Sequence, residues 1–327
     1  KTLSDNLRNR EEKKRIPSMA EASIRYAVVT GGNRGIGFGI CKKLASNGIK
    51  VVLTARDEKR GLEAVQKLKD SGFTDHIFFH QLDVVDQVSV VCLANFVRNK
   101  FGKLDILVNN AGISGINTTN IVGEDIMFVR DVAKGKEKKE LVKWKESLTE
   151  TPELAEECLN INYYGPKRLV AALEPLLKLS DSPTIVNVSS HKGMLQNIPN
   201  EEVRRVLGIG NHFTEETVDD IVREFLKDFK EGSSETKGWP ACLSAYIISK
   251  AALNAYTRVI ATRYPSFCIN CVCPGAVKTD INLNTGVFTV EEGAEGIVRV
   301  VLLPNGGPTG CFFRREEGVA VLTNQHW

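Results

Sequence analysis

The amino-acid sequence predicts an α/β protein with a doubly wound, seven-stranded parallel sheet, helices on both faces and an inserted helical cap. Two observations support this class. Short runs rich in Val and Ile alternate with helical apolar patterns from residue 26 to about residue 313, as in parallel strands covered on both faces. A glycine-rich turn joins the first run to the first helical pattern, which is typical of the first unit of such a sheet.

The strands are predicted from the apolar runs, and the helices from apolar positions three and four residues apart. The first helix ends at Gly48, a residue type that commonly terminates helices. The predicted strands are Tyr26–Thr30, Lys50–Thr54, Ile77–Leu82, Leu104–Asn109, Thr184–Ser189, Cys268–Cys273 and Gly310–Phe313. The predicted helices are Gly37–Asn47, Glu58–Lys69, Gln87–Lys100, Pro152–Lys178, Ser244–Tyr264 and Glu291–Leu302.

Two long stretches, residues 114–150 and 191–242, interrupt this alternation. Both exceed ordinary connection lengths, which predicts a flap-like insertion for the first and a functional cap for the second. The second contains an amphipathic helix between the candidate N-cap Thr214 and Gly232. This helix either packs on the main domain or lines a substrate pocket. Its apolar positions are Val218, Ile221, Val222, Phe225, Leu226 and Phe229.

Composition is that of an ordinary globular protein, with 42% hydrophobic and 25% charged residues in 327. No apolar run reaches 18 residues, so no membrane span is predicted. The net charge of +3 equals the excess in residues 1–15, which carry six Lys/Arg and three Asp/Glu. The neutral remainder does not favour nucleic acid as a partner. Residues 1–18 are expected to be a disordered extension or a cloning remnant, and residues 19–327 a single domain that starts naturally at Met19.

Eight cysteines are scattered through apolar segments, which favours a reducing compartment and a cytoplasmic location. Cys268, Cys271 and Cys273 lie close together in sequence. Because they belong to a predicted strand, Cys271 and Cys273 are expected on one face and Cys268 on the other. No metal site is therefore predicted.

The segment Thr-Gly-Gly-Asn-Arg-Gly-Ile-Gly, which ends at Gly37, forms the predicted turn between first strand and first helix. Gly31 permits a tight turn, Gly35 lets the backbone approach a pyrophosphate, and Gly37 allows close packing of helix and strand. The helix N-terminus offers N–H groups to the anion. The cofactor contacts predicted in this Rossmann-type loop are Gly31, Asn33, Arg34, Gly35, Ile36 and Gly37.

Arginines follow the second strand, where NAD enzymes carry an acidic residue for the ribose hydroxyls. Arg56 comes directly after the strand, Arg60 lies one turn further, and Arg34 belongs to the glycine loop. Three guanidinium groups converging there favour the 2′-phosphate of NADPH or NADP+. Asp57 leaves an alternative open, because its carboxylate would reverse this preference if it faced the ribose.

The third and fourth strands also end in candidate cofactor contacts. Asp83 and Val84 are expected beside the adenine. Asn110 belongs to the run Asn-Asn-Ala-Gly at residues 109–112, at the sheet edge where ligands of open parallel sheets collect.

Tyr246 and Lys250 stand four residues apart in a predicted helix, in the run Ser-Ala-Tyr-Ile-Ile-Ser-Lys. Residues at this spacing share one helix face. A cation close to a phenol lowers a pKa that starts at about 10, so the tyrosine can act as an acid or base near neutral pH.

Five features together resemble the short-chain dehydrogenase/reductase family over roughly residues 24–313: the glycine loop, Asn-Asn-Ala-Gly, a fifth strand that ends in serine, Tyr-x-x-x-Lys and Pro274-Gly275. The runs Leu-Thr-Ala-Arg-Asp, Phe-His-Gln-Leu-Asp-Val and Ile-Asn-Tyr-Tyr-Gly are similar to its carbonyl reductase branch, above all to plant enzymes that act on terpenoids and alkaloids. The tail Arg314–Trp327 does not resemble the family's usual ending.

The resemblance implies four catalytic residues: Asn162, Ser190, Tyr246 and Lys250. Ser190 matches better than Ser189 because the family has its serine three residues before a glycine, here Gly193. A purely structural Asn162, shaping a helix kink, stays open. The resemblance also implies cofactor contacts after the sixth strand, at Pro274, Gly275, Val277 and Thr279.

The implied reaction is NADPH-dependent reduction of a ketone or aldehyde on a small apolar molecule. Ser190 and Tyr246 would hydrogen-bond the carbonyl oxygen, and Tyr246 would deliver the proton. Lys250 would bind the nicotinamide ribose and lower the tyrosine pKa, while Asn162 would anchor a water leading to solvent. Serine hydrolase chemistry with His191 is disfavoured because no Gly-x-Ser-x-Gly elbow is present.

Two other functions stay open at this point. Some plant relatives reduce a conjugated carbon–carbon double bond, but they depart from tyrosine at the proton-donor position, which Tyr246 retains. A non-catalytic NADPH-binding regulator is the second. Ser190 and Tyr246 lie 56 positions apart, a long spacing that the carbonyl reductase branch shares and that implies a monomer.

Overall fold

The computed structural model describes residues 24–117, 149–208, 214–316 and 319–323. The predicted extension 1–18 lies outside the described residues, as does most of the flap-like insertion, residues 118–148.

A single sheet runs through the described protein, with strand order β3-β2-β1-β4-β5-β6-β7-β8. Seven neighbouring strands are parallel, which confirms the predicted sheet, and the eighth is antiparallel to the seventh. The eighth strand lies in the tail and was not predicted, because a short apolar run after the last crossover has no following helix to mark it. The strands are β1 (Tyr26–Val29), β2 (Lys50–Ala55), β3 (Ile77–Gln81), β4 (Ile106–Asn109), β5 (Thr184–Val188), β6 (Cys268–Cys273), β7 (Phe312–Glu316) and β8 (Val319–Thr323).

Helices cover both faces of the sheet, as predicted. On one face α1, α2 and α9 share an apolar core, and on the other α3, α5 and α8 share a second core. Val28 of β1 contributes to one core, and its neighbours Ala27 and Val29 contribute to the other, which explains why the strand is apolar at successive positions. The described helices are α1 (Gly35–Ser46), α2 (Glu58–Leu68), α3 (Gln87–Phe101), α4 (Pro152–Leu159), α5 (Gly165–Leu177), α6 (Glu201–Gly208), α7 (Glu215–Lys230), α8 (Ser244–Arg263) and α9 (Val290–Val301).

The long helix predicted at Pro152–Lys178 is interrupted. A π-helical turn, Asn160–Tyr164, separates α4 from α5 and has Asn162 at its centre. Turns of this type insert an extra residue into a helix and are frequent at functional sites. Helical spacing is nearly preserved across such a turn, so the sequence pattern did not reveal it.

The cap between β5 and α8 contains α6, which was not predicted, and α7, which was. Thr214 caps α7 as expected, since its hydroxyl accepts the N–H of Thr217 at 3.2 Å. The apolar side of α7, including the fully buried Phe225, joins the core that α8 helps to form. This contact supports the simpler interpretation, packing on the main domain.

A buried carboxylate attaches the end of α7 to the chain that returns toward α8. Asp228 is 1% exposed and accepts hydrogen bonds from the indole of Trp239 at 2.8 Å and the ammonium of Lys237 at 2.5 Å. Burial alone would raise the pKa of Asp228, but these two donors lower it below its ordinary value. None of the helices in the described ranges has the length and hydropathy of a membrane-spanning segment.

Candidate active site

Tyr246 and Lys250 lie in the first turns of α8, on the face of the sheet that α3, α5 and α8 cover. Lys250 is 4% exposed, and its Nζ donates to the carbonyl oxygen of Val188 at 2.9 Å. The ammonium lies 5.7 Å from the centroid of the Tyr246 ring. Burial lowers the pKa of Lys250 to about 8.

The phenol of Tyr246 is half-buried. Burial raises the pKa of Tyr246, and a hydrogen bond with Ser190 opposes that rise. The expectation that Lys250 holds down this pKa is wrong for the arrangement seen here, because the ammonium is directed to a carbonyl group instead. A phenol is protonated at neutral pH even at its ordinary pKa of about 10, so Tyr246 carries the proton that a donor needs.

The two serines at the end of β5 have different surroundings. The hydroxyl of Ser189 is buried and donates to Oδ1 of Asn254 at 2.6 Å. Ser190 is only partly buried, and its hydroxyl lies beside Tyr246. A Cβ added to Gly193 would lie 2.6 Å from the backbone of Lys250, so glycine lets the Ser190 turn pack directly against α8.

Asn162 holds the loop after β4 with both ends of its amide. Oδ1 accepts the N–H of Ile113 at 2.9 Å, and Nδ2 donates to the carbonyl oxygen of Ile113 at 2.9 Å and to the hydroxyl of Ser249 at 3.0 Å. The helix-kink interpretation of Asn162 therefore agrees with the geometry. A Cβ added to Gly112 would lie 3.1 Å from Oδ1 of Asn162 and 3.5 Å from Nζ of Lys250, so the amide and the ammonium both lie close to this glycine.

The glycine loop lies on the opposite side of the sheet edge. Gly31 and Gly35 have left-handed φ values of 62° and 53°, which glycine adopts at little cost. No side chain caps the N-terminus of α1. Asn110 donates to the carbonyl oxygens of Thr30 and Gly31 at 2.8 and 3.2 Å, so it connects this loop to the end of β4.

Thr30 is a site residue that the sequence analysis missed. Its hydroxyl accepts the N–H groups of Asn110 and Ala111, both at 2.9 Å. Its place directly before the glycine loop was the available signal. Ser249, which connects Asn162 to α8, was also missed and precedes Lys250 in the helix.

The structure shows how the charged groups after β2 are arranged, including Asp57. Its carboxylate accepts the N–H of Arg60 at 2.8 Å and caps α2, so it is engaged within the helix. Arg56 and Arg60 are exposed. Arg34 does not converge with them, because its guanidinium pairs with Asp280 at 2.5 Å.

The remaining predicted contacts lie on both sides of the glycine loop. Asp83 accepts the N–H of Val85 at 3.1 Å, and Val84 is buried. The loop after β6 approaches α1, since a Cβ added to Gly35 would lie 3.4 Å from Thr279. In that loop Pro274 and Val277 are buried, while Gly275 and Thr279 are partly exposed.

The cysteines of β6 alternate as predicted. Cys271 and Cys273 belong to one small apolar cluster, whereas Cys268 contacts the carbonyl oxygen of Pro308. In the part of the chain that the structure describes, no group of three or more His, Cys, Asp or Glu side chains could hold a metal ion.

A family model described as short chain dehydrogenase matches residues 25–133. The chain is 56% identical to (+)-neomenthol dehydrogenase of Arabidopsis thaliana, over 91% of this chain and 99% of that protein. The chain belongs to the short-chain dehydrogenase family. This dehydrogenase is therefore an oxidoreductase with a Rossmann-type fold.

Two solved structures resemble this dehydrogenase along nearly their whole length. Salutaridine reductase from Papaver somniferum has a TM-score of 0.80 and 53% identity, over 88% of this chain and 99% of that one. Menthone neomenthol reductase from Mentha piperita has a TM-score of 0.77 and 46% identity, over 90% and 100%. The family model ends before Tyr246, whereas both solved structures cover nearly all of this chain.

Proposed function

We propose that this dehydrogenase reduces a ketone or aldehyde on a small apolar molecule, of terpenoid or alkaloid type, with NADPH. The observation that carries the proposal is the half-buried phenol of Tyr246, which has a hydroxyl partner in Ser190 and a buried ammonium behind it in Lys250. Relatives named for neomenthol and salutaridine support the substrate class.

The residues of the site account for the proton side of this reaction. NADPH held by the glycine loop would supply the hydride that the carbonyl carbon accepts. Negative charge then develops on the carbonyl oxygen, where the hydroxyls of Ser190 and Tyr246 donate hydrogen bonds. Tyr246 transfers its proton to that oxygen, and Lys250, with a pKa of about 8, can pass a proton toward the phenolate at neutral pH.

Asn162 acts in this scheme mainly through the backbone. Its side-chain amide is occupied by Ile113 and Ser249. The proposed acceptor for a water that leads to solvent is therefore the backbone carbonyl oxygen of Asn162. The same amide holds the loop after β4, so Asn162 also fixes one wall of the site.

The preference for NADPH rests on Arg56 and Arg60. Both are exposed at the end of β2 and the start of α2, and Asp57 between them is engaged as a helix cap. Guanidinium groups recognise a phosphate through paired hydrogen bonds. The other proposed contacts are those of the glycine loop, Asp83, Val84, Asn110 and the β6 loop.

A monomer and a cytoplasmic location complete the proposal. The cap helix α7 packs against α4 and α8, and its Asp219 accepts hydrogen bonds from Tyr163 and Lys167, all at 2.7 Å. This packing removes a helical face that a partner subunit would otherwise use. Light scattering during gel filtration would measure the mass directly, and a dimer or tetramer would contradict this part of the proposal.

The function is tested by following NADPH absorbance with monoterpenoid, alkaloid and quinone carbonyls. Tyr246→Phe should lower kcat by about 10²- to 10⁴-fold, the usual contribution of a general acid, while the Kd of NADPH stays within about threefold. A variant that retains the wild-type rate would contradict the role of Tyr246. Conjugated enones in the same panel separate the alternative reaction, because an allylic alcohol and a saturated ketone are distinguished by NMR.

A further inference from the structure

The helix that carries Tyr246 and Lys250 begins without a cap of its own. Leu243 precedes α8 with φ at 52° and ψ at 35°, in the left-handed region, and contributes no side-chain hydrogen bond to the helix. An N-cap residue normally adopts an extended conformation and accepts an N–H of the first turn through its side chain. The first N–H groups of α8 therefore need an acceptor from elsewhere.

Glu150, far away in sequence, supplies that acceptor. Its Oε2 accepts the N–H of Ser244 at 2.9 Å, the hydroxyl of Ser244 at 2.6 Å and, more weakly, the N–H of Ala245 at 3.4 Å. Oε1 lies 3.2 Å from the same Ser244 nitrogen. A carboxylate is the preferred group at this position, since the N-terminus of a helix carries partial positive charge.

The backbone on both sides of Glu150 is fixed by other contacts. The carbonyl oxygen of Thr149 accepts the N–H of Asn117 at 3.0 Å, and the hydroxyl of Thr151 caps α4 by accepting the N–H of Leu154 at 3.3 Å. Glu150 thus lies between a β-bridge and a helix cap. Because these contacts hold the backbone of its neighbours, the carboxylate that contacts α8 has a defined position.

We propose that Glu150 is a positioning residue for the proton donor, and this inference rests on the proposed function of Tyr246. Tyr246 is the third residue of α8 and lies in the turn that Glu150 caps, whereas Lys250 lies a full turn further along. Loss of the cap would loosen the first turn and move the phenol away from Ser190, while Lys250 keeps its hydrogen bond to Val188. Small displacements of a catalytic group are costly, and about 1 Å can lower a rate 10²-fold.

The test compares Glu150→Ala with Glu150→Gln, which retains one carbonyl oxygen for the Ser244 contacts. With the panel ketone that is reduced fastest, Glu150→Ala should lower kcat by about 10- to 100-fold, and Glu150→Gln by less than about fivefold. The Kd of NADPH should stay within about twofold in both variants. Hydrogen exchange of a peptide covering residues 241–248 should accelerate in Glu150→Ala.

Thr214→Ala is the matched control, because it removes the cap of a different helix. The start of α7 lies at the other end of α8, where Glu215 pairs with Arg263. Arg263 is 17 residues from Tyr246, or about 26 Å along the helix. This control should lower the midpoint of thermal unfolding as Glu150→Ala does and leave kcat within about twofold.

Equal kcat values for Glu150→Ala and wild type would overturn the inference, as would a Glu150→Gln variant as slow as the alanine variant. If Glu150→Ala does not fold, a fall in kcat of more than about fivefold in Glu150→Gln, without faster exchange at residues 241–248, would overturn the inference. Failure of the proposed function would look different. In that case wild type and Tyr246→Phe would reduce the panel equally slowly, while exchange at residues 241–248 would still respond to Glu150→Ala.

Discussion

Substitution of Gly37 by alanine is the sharpest test of the glycine loop and of its proposed role in binding NADPH. A Cβ at Gly37 would overlap the carbonyl oxygen of Gly31 and lie 2.5 Å from Nδ2 of Asn110 and 2.9 Å from the carbonyl carbon of Gly31. Two of these atoms belong to the backbone of a tight turn, and the third is fixed by hydrogen bonds to Thr30 and Gly31. The loop therefore has to move as a whole to admit one methyl group.

The expected cost follows from these contacts. Overpacking at a rigid position costs about 1–3 kcal/mol, and each Asn110 hydrogen bond that is lost adds about 0.5–1.5 kcal/mol. The higher helix propensity of alanine returns at most about 1 kcal/mol. The free energy of unfolding should therefore fall by about 2–4 kcal/mol, and the displaced loop should raise the Kd of NADPH by at least about tenfold.

Gly296→Ala provides the control within the same protein. Gly296 lies in α9, and a Cβ added there meets no atom within 4 Å, so this change should raise the free energy of unfolding by about 0.5–1 kcal/mol. Urea unfolding measures both variants, and quenching of protein fluorescence measures NADPH binding. A Gly37→Ala protein as stable as wild type, with the same Kd, would refute the close approach of Gly37, Gly31 and Asn110.

Three further changes test the charged groups. Arg56→Ala combined with Arg60→Ala should raise the Kd of NADPH by about tenfold or more and leave that of NADH within about twofold, measured by fluorescence titration; equal losses for both cofactors would move the 2′-phosphate elsewhere. Asp280→Asn releases Arg34 from its ion pair and should lower the Kd of NADPH, but by less than about fivefold because both partners are exposed; a higher Kd would contradict this competition. Asp228→Asn should cost about 2–3 kcal/mol of unfolding free energy at pH 7. Because the pKa of Asp228 is lowered on folding, its stabilisation is present above the unfolded value of about 3.9 and is lost as pH falls below it, so urea unfolding of the variant should depend less on pH between 5 and 3; curves that stay parallel would exclude the carboxylate as the stabilising group.

Local sequence signals were sufficient for most of the sheet and for the tight turn of the glycine loop. Buried parallel strands such as β5 and β6 must be apolar at nearly every position, and glycines such as Gly31 and Gly35 mark backbone conformations that other residues avoid. Helix geometry alone places the side chains of Tyr246 and Lys250 on the same face of α8, because they are four residues apart. These features depend on neighbours within a few residues, so they can be recognised in one sequence.

Contacts between distant segments were decided only by the tertiary structure. The cap that Glu150 gives to Ser244 joins residues 94 positions apart, and the pair of Arg34 and Asp280 joins residues 246 positions apart. The helix and strand patterns of apolar residues carry no information about contacts between residues so far apart in sequence.

The amino-acid sequence by itself determined the seven parallel strands, most of the helices that cover them and the residue types that meet at the carboxyl edge of the sheet. Only the tertiary structure decided the pKa values of the side chains at that edge. The same burial that raises the pKa of Tyr246 lowers that of Lys250 to about 8, because removal from water penalises whichever form of a group is charged. The burial of each side chain depends on all the residues packed around it, so it cannot be deduced from the spacing of Tyr246 and Lys250 in the sequence.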